Sequence, residues 1–205
     1  MTIVVLSLGD LETNCYVVWD DPDRALVIDP ADDPDSILTV IRSKGLTVQA
    51  VLLTHVHFDH MLAAEAVCQA TGAPLWAGAG DEPALGDPGR NLSTWLPGGQ
   101  AVTLTADRLL REGDRLSMGG QTLTVWETPG HTPGCICLVG DGVLFSGDTL
   151  FCGSIGRIDF PGGDVTAMRA SLSRLCALPD ETAVYSGHGP ATTIGREKMS
   201  NPYLR

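Results

Sequence analysis

The chain has 205 residues, of which 43% are hydrophobic and 19% charged, and its formal net charge is −12. This length fits a single domain, residues 1–205, with a core large enough to fold without disulfides. A surface this acidic repels phosphate backbones and anionic lipids, so nucleic acids and membranes are disfavoured as partners.

Apolar, β-branched runs predict the strands of the N-terminal half, which are TIVVLSL, CYVVW, ALVID and VQAVLLT. The last run is apolar throughout, as expected of a strand covered on both faces. A helix is predicted between the third and fourth strands, because Asp33 can cap it, Pro34 suits its first turn and Gly45 can end it. A second helix is predicted over MLAAEAVCQATG, ending at Gly72, and a short strand over PLWAG.

The C-terminal half begins with a segment rich in Gly, Pro and Asp, from Gly78 to Gly99, which is predicted to be a long surface loop. Two hairpins follow, one in DRLSMGGQTLTVWETP with its turn at Gly119 and Gly120, the other formed by CICLV and VLFSG. A helix over DVTAMRASLSRLCALP and a strand over TAVYSG complete the prediction. Two blocks of strands with a few helices favour a sandwich of two sheets flanked by helices.

The six cysteines form no CxxC pair and are interpreted as small buried apolar side chains. The N-terminus lacks the basic segment and cleavage site of a signal peptide, and no apolar run approaches the length of a membrane span. We therefore expect a reduced, cytoplasmic setting. No feature of the sequence indicates an oligomeric state.

The chemically reactive side chains collect directly after predicted strands. The residues in these positions are His55, His57 and His60 after VLLT, His131 after LTVWETPG, Asp148 after VLFSG and His188 after AVYSG. Loops at one end of a sheet converge, so these side chains are expected to meet. Imidazole and carboxylate ligands without cysteine are typical of an open, catalytic metal site for zinc, iron or manganese. In HVHFDH, Asp59 and His60 point away from the two preceding histidines, which suits two ions better than one.

Four motifs, HVHFDH, TPGHTPG, FSGDTLF and YSGHGP, resemble the metallo-β-lactamase superfamily in this order along nearly the whole chain. The resemblance implies an αββα sandwich, an α/β (α+β) fold, with metals at one edge. GDTLF, GSIGRIDFPGGD and GHGPATTIGREK look most like the small glyoxalase II-type (hydroxyacylglutathione hydrolase-like) enzymes.

The resemblance also implies two divalent metal ions, zinc first and iron or manganese as alternatives. Their ligands would be His55, His57 and His131 for the first ion, Asp59, His60 and His188 for the second, and Asp148 bridging both. Asp59 and Asp148 would act in catalysis as ligands of the cations that bind the hydroxide. β-Lactamases of the family tend to have cysteine or serine at the place of Asp148, so the aspartate argues against that activity.

Two further residues are expected beside this cluster. Arg157 in GRIDF resembles the basic residue of glyoxalase II that meets the glutathione part of the substrate, although it can instead pair with Asp159 or Asp164. Asp29 ends the ALVID strand and can accept a hydrogen bond from a metal-binding histidine, or have a plain turn role. Glyoxalase II has a helical C-terminal extension with glutathione contacts, whereas this chain stops soon after His188, which leaves the thiol carrier open.

The predicted function is metal-dependent hydrolysis of a small-molecule thioester, S-lactoylglutathione being the candidate by resemblance. Two adjacent cations make hydroxide available near neutral pH for attack on a carbonyl carbon, and the departing thiolate is a good zinc ligand. The alternative is a persulfide dioxygenase with one iron on His57, His131 and Asp148, which the GR-D-F segment also resembles; GDTLF and GHG favour the hydrolase. Nucleic-acid processing conflicts with the acidic balance, and a non-catalytic scaffold conflicts with the complete ligand set.

Overall fold

The structure is a computed structural model that describes residues 1–204. Its first sheet has the strand order β1-β2-β3-β4-β5-β6. These strands are Thr2–Leu8 (β1), Thr13–Trp19 (β2), Ala25–Ile28 (β3), Val48–Leu53 (β4), Leu75–Gly78 (β5) and Arg108–Leu110 (β6). The first three strands are antiparallel and the last four run parallel to one another. The parallel strands end at the same edge, where β4 delivers the chain into the HVHFDH motif.

The second sheet has the strand order β12-β11-β10-β9-β8-β7. Its strands are Arg115–Met118 (β7), Gln121–Glu127 (β8), Ile136–Gly140 (β9), Val143–Gly147 (β10), Ala183–Ser186 (β11) and Thr192–Thr193 (β12). Both predicted hairpins are confirmed, β7 with β8 and β9 with β10. Gly119 turns the first hairpin with a φ of 86°, a left-handed conformation that glycine adopts without strain.

Within the described residues, 1–204, five α-helices flank the sheets. They are Pro34–Lys44 (α1), Ala64–Thr71 (α2), Glu82–Leu85 (α3), Val165–Leu175 (α4) and Ile194–Ser200 (α5). Asp33 caps α1 by accepting a hydrogen bond from the Ser36 amide, and Gly45 ends it, as predicted. Within residues 1–204, no helix is both long enough and apolar enough to cross a membrane.

The structure departs from the prediction in three places, one of which is the short edge strand β6, which was not predicted. The segment Gly78 to Gly99 is not one irregular loop, because it contains α3 and short 3-10 turns, and Leu85 of α3 packs into the core. The chain after His188 also forms structure that was not predicted, the two-residue strand β12 and the helix α5. Neither element is long enough to give a clear hydrophobic period.

In the described part of the chain, three apolar clusters fill the spaces between the layers. Alternate residues of β2 point in opposite directions, so Val17 packs with α1 and α2, whereas Tyr16 and Val18 face the second sheet. On the far side of the second sheet, Leu172 of α4 packs with Ile194 of α5. The predicted αββα sandwich is therefore confirmed, and the functional loops lie at one edge of the two sheets.

Candidate metal centre

All seven predicted metal ligands come together at one edge of the sandwich. The first sheet contributes four of them through the chain that follows β4, which are His55, His57, Asp59 and His60. The second sheet contributes three through the chain that follows β8, β10 and β11, which are His131, Asp148 and His188. Each ligand stands after a strand, so two rigid sheets position the whole cluster.

The first predicted set consists of three buried histidines, His55, His57 and His131. One ligand atom from each lies within 4.8 Å of the others, and Nε2 of His131 lies 2.8 Å from Nδ1 of His57. Tetrahedral zinc with Zn–N bonds of about 2.0–2.1 Å separates its ligand nitrogens by about 3.3 Å. The three imidazoles therefore surround a space of the right size for one cation.

The second predicted set, Asp59, His60 and His188, also has its ligand atoms within 4.8 Å of one another. Oδ2 of Asp59 lies 3.5 Å from Nε2 of His60 and 3.3 Å from Nε2 of His188. The Thr13 hydroxyl donates to the same carboxylate at 2.8 Å, which fixes its rotamer. His188 is held through Nδ1, which lies 3.1 Å from the Leu11 carbonyl oxygen and leaves Nε2 facing the site.

Asp148 lies between the two sets. Its Oδ1 is 3.4 Å from Nε2 of His60, and its Oδ2 is 3.6 Å from Nε2 of His131 and 3.7 Å from Nε2 of His188. A carboxylate that has imidazoles of both ligand sets around its two oxygens is suited to bridge two cations. Gly187 permits this approach, since a Cβ at that position would overlap Oδ1 of Asp148.

The electrostatics of the cluster favour positive charge at its centre. Burial acts to lower the pKa of His60, but Asp59, Asp148 and Asp29 raise it well above its usual value. Burial also acts to raise the pKa of Asp148, yet His60 and the other histidines keep it below its usual value. Among residues 1–204, no lysine or arginine forms an ion pair with these three carboxylates. A divalent cation would supply the charge that they lack.

Two buried histidines of the cluster, His55 and His57, favour the neutral, metal-binding form because their pKa values are lowered. Burial lowers the pKa of His57 to about 3, with a further contribution from His131. Burial also lowers the pKa of His55, with His60 as the next cause.

Several buried ligand atoms have no hydrogen-bond partner within the protein. Among them are Nε2 of His55, Nε2 of His60 and Oδ1 of Asp148. Because an unpaired buried polar atom costs about 1–3 kcal/mol, several of them in one place need an explanation. His55, His60 and Asp148 each offer a ligand atom within 4.8 Å of the others, and nitrogen and oxygen donors this close together fit divalent metal ions, which would bond to these atoms.

Asp29 is buried beneath the cluster at the end of β3. It accepts hydrogen bonds from the amide and the hydroxyl of Thr54, both at 2.7 Å, and its Oδ2 lies 3.0 Å from Nδ1 of His60. The His60 contact has the distance but not the angle of a hydrogen bond, since that ring nitrogen has no partner of good geometry. Asp29 thus lies where it can orient His60, and its bonds to Thr54 also join the end of β3 to the end of β4.

Asp81 is a buried carboxylate beside the metal centre that the motifs did not reveal. It is 1% exposed and accepts hydrogen bonds from the Val56 amide at 3.2 Å, the Thr132 hydroxyl at 2.8 Å and the Gly134 amide at 2.7 Å. It therefore joins the loop that carries His55 and His57 to the loop that carries His131. Its position just after β5 is the signal that could have found it, because the predicted ligands also follow strands.

A cavity of about 470 Å³ opens over the metal centre. Its apolar and aromatic walls come from Leu11, Phe58, Leu92, Trp95, Phe151 and Phe160. Arg157 also lines it, while its Nε and Nη2 donate to the two carboxylate oxygens of Asp159 at 2.9 and 2.7 Å. The structure thus places Arg157 both beside the cavity and in the ion pair that was its alternative role.

Known proteins match this chain over nearly its whole length. The family model described as "Metallo-beta-lactamase superfamily" matches residues 8–188. The chain is 36% identical over 210 residues to the hydroxyacylglutathione hydrolase GloC of Haemophilus influenzae, covering 100% of this chain and 98% of the relative. It is 37% identical over 202 residues to the probable metallo-hydrolase YqgX of Bacillus subtilis, with 97% and 95% covered.

Solved structures share the fold. The BLEG-1 B3 metallo-β-lactamase matches with a TM-score of 0.92 and 41% identity over 99% of both chains. TTHA1623 in a di-iron-bound form matches with a TM-score of 0.87 and 39% sequence identity, and the match covers 98% of this chain and 100% of that one. ETHE1 from Myxococcus xanthus matches with a TM-score of 0.82 and 31% sequence identity, and the match covers 98% of this chain and 84% of that one. The arrangement of both sheets is common to all of them.

Proposed function

The chain belongs to the metallo-β-lactamase superfamily, and from this membership we propose that it hydrolyses acyl thioesters in the manner of glyoxalase II. Enzymes of this superfamily are metal-dependent hydrolases. The observation that carries the proposal is the position of Asp148, whose carboxylate oxygens lie within 3.7 Å of histidines of both ligand sets. The similarity to GloC supports the choice of a thioester.

Two divalent cations fit the donors present, His55, His57 and His131 for one, Asp59, His60 and His188 for the other, and Asp148 for both. Zinc suits these nitrogen and oxygen donors, and so do iron and manganese. When bound, such cations lower the pKa of water and polarise a carbonyl oxygen.

The protein's own groups orient these donors and shape the site. The Arg157 carbonyl oxygen lies 2.6 Å from Nδ1 of His131, so Nε2 of that ring is directed at the centre. The aromatic wall around Phe160 limits the access of bulk water to the bound substrate. In the net reaction, a water oxygen bonds to the carbonyl carbon, the carbon–sulfur bond breaks, and the thiolate takes a proton to yield acid plus thiol.

A second candidate is a mononuclear-iron persulfide dioxygenase. His57, His131 and Asp148 form a compact set, with Oδ2 of Asp148 3.6 Å from Nε2 of His131. This set can hold one iron and leave coordination positions open. The segment from Gly156 to Phe160 carries the resemblance to those enzymes, and the structural similarity to ETHE1 also supports this candidate.

The deciding experiment combines metal analysis of the purified protein with assays on S-lactoylglutathione, on glutathione persulfide in an oxygen electrode, and on a β-lactam. We expect two metals per chain, thioester cleavage and no oxygen uptake. His57→Ala should lose metal and hydrolysis together, because it removes a donor of the first set. One iron per chain with oxygen uptake would instead establish the dioxygenase, and β-lactam opening would establish the activity for which BLEG-1 is named.

A further inference from the structure

An apolar groove leads from the metal centre to the loop that carries Trp95. The cavity over the metal centre adjoins a second one of about 230 Å³. Leu11, Phe58, Asp59 and Trp95 line both cavities. We call the two cavities together the Trp95 groove; it is large enough for a substrate group that extends well beyond the scissile bond.

The walls of the Trp95 groove expose apolar surface beside the reacting centre. Trp95 is 61% exposed and Leu11 is 53% exposed. Trp95 packs edge-on against Phe160 with ring centroids 5.3 Å apart, and Phe160 packs against His57 at 5.6 Å. Exposed apolar side chains gathered in a concave site are typical of ligand binding, since burying them against an apolar ligand is favourable.

The charges around the Trp95 groove disfavour an anionic ligand. The second cavity is lined by Asp10, Asp32 and Asp59, with no lysine or arginine among its lining residues. Arg157 lines the first cavity, and one edge of its guanidinium, formed by Nε and Nη2, already donates to the two carboxylate oxygens of Asp159. A carboxylate in this groove would meet like charge and would have to compete with Asp159 for Arg157.

We propose that the larger substituent of the thioester substrate is uncharged and apolar and packs in the Trp95 groove. The Arg157–Asp159 pair then selects against thiol carriers that bear carboxylates, such as glutathione. This inference rests on the thioester hydrolysis proposed above and names its substrate class. The apolar group can belong to the thiol half or to the acyl half of the thioester, and the experiment separates these sources.

The test compares four thioesters of alkyl thiols, so that the leaving groups are similar. S-lactoylglutathione carries an anionic thiol, and S-lactoyl-N-acetylcysteamine a small neutral one. S-lactoyl benzyl mercaptan places an aromatic ring on the thiol half, and S-phenylacetyl-N-acetylcysteamine places it on the acyl half. We expect at least one aromatic ester to exceed S-lactoylglutathione in kcat/KM by about tenfold or more, through a lower KM, since burying a ring contributes about that much.

Two variants assign the effect to the groove. Trp95→Ala should reduce the preference for the aromatic ester over S-lactoyl-N-acetylcysteamine about fivefold, whereas Tyr203→Ala, which removes an exposed aromatic ring outside both cavities, should leave the preference unchanged. Asp159→Asn releases Arg157 and should raise the kcat/KM for S-lactoylglutathione relative to the neutral esters. The double variant Arg157→Gln with Asp159→Asn should lose that gain.

Binding of unreactive thioethers provides a readout independent of hydrolysis. S-benzyl-N-acetylcysteamine, which is neutral, should bind at least about tenfold more tightly than S-methylglutathione, which is anionic. Equal or tighter binding of S-methylglutathione, together with no effect of Trp95→Ala, would overturn the inference. If no thioester is cleaved, the proposed function fails. The two thioether affinities still show whether the groove prefers a neutral, apolar ligand to an anionic one.

Discussion

At the scale of single residues, the metal centre depends on side chains that are not predicted ligands. Asp81 is buried, and burial raises the pKa of its carboxyl, although hydrogen bonds from Thr132, Gly134 and Val56 oppose this. Those three donors flank the residues of the first predicted ligand set along the chain. Because Asp81 joins the two loops that carry the histidines of the first ligand set, we predict that it positions the ligands of the first cation.

Asp81→Asn should weaken metal binding at the first site. In the wild-type protein the Val56, Thr132 and Gly134 donors bond to carboxylate oxygens, and in the variant the NH₂ group of the amide would replace one of those oxygens. The expected loss of zinc affinity there is about 10–100-fold, with the second site little changed. Zinc titration of the metal-free protein against a chelator of known affinity measures both sites.

Asp107→Asn is the matched control for this variant. The Asp107 carboxylate accepts a hydrogen bond from the Leu75 amide at 2.8 Å, at the other end of β5 from Asp81. It should affect neither metal site. Unchanged zinc affinity in Asp81→Asn, or an equal loss at both sites, would contradict the positioning role.

At the scale of elements, the C-terminal helix α5 anchors the loop that follows Asp148. Glu197 is 0% exposed and accepts hydrogen bonds from the Gly153 amide at 2.7 Å, the Thr192 hydroxyl at 2.6 Å and the Asn201 amide at 2.9 Å. Asn201 also donates to the Ser154 carbonyl oxygen at 3.0 Å. The anchored loop presents Phe151 to the cavity, so α5 helps to shape the substrate site without reaching it.

Glu197→Ala leaves several buried donors without an acceptor. We expect it to lower the free energy of unfolding by at least about 2 kcal/mol and to raise KM through displacement of Phe151. Glu112→Ala is the control, because Glu112 pairs with Arg174 at the surface and should contribute about 1 kcal/mol or less. Urea unfolding measures the free energy of unfolding of both variants. A similar loss of stability in the two would refute the anchoring role.

At the scale of the whole molecule, the predicted cations would link the two sheets. The first sheet supplies His55, His57, Asp59 and His60 and the second supplies His131, Asp148 and His188. Ions that bind this folded arrangement and not the unfolded chain stabilise the fold by mass action. Removing them leaves buried carboxylates and imidazoles facing one another.

Metal removal should therefore make stability depend strongly on pH. In the metal-free protein the pKa of His60 and that of His188 are raised, so their contribution is present below about pH 6.5 and is lost as the pH rises. The pKa values of His55 and His57 are lowered, so stability is lost as the pH falls below about 6.5. Urea unfolding after chelation should show maximal stability near that pH.

The metal-loaded protein is the reference for this measurement. Its histidines are held in the neutral form by the cations, so its stability should not fall between about pH 6.5 and 8. A metal-free protein whose stability keeps rising over that range would show that the raised pKa values of His60 and His188 do not govern it.

Local patterns predicted much of this protein, because they depend on neighbours in the chain. Apolar runs predicted most of the strands and both hairpins, and the positions after those runs indicated His55, Asp148 and the other candidate ligands. The spacing in HVHFDH, together with the later motifs, identified the superfamily. The roles of the individual ligands and of Arg157 remain predictions that the experiments above test.

Contacts between distant parts of the chain were decided only by the folded structure. Asp81 meets Gly134 across 53 positions and Glu197 meets Gly153 across 44, and neither residue belongs to a repeating local pattern. The short helices α3 and α5 bury their apolar side chains only against the assembled sheets, so their sequences show no helical repeat of hydrophobic residues that would have predicted them. Hydrogen bonds and apolar burial of this kind form between surfaces that folding brings together, and the Trp95 groove exists for the same reason.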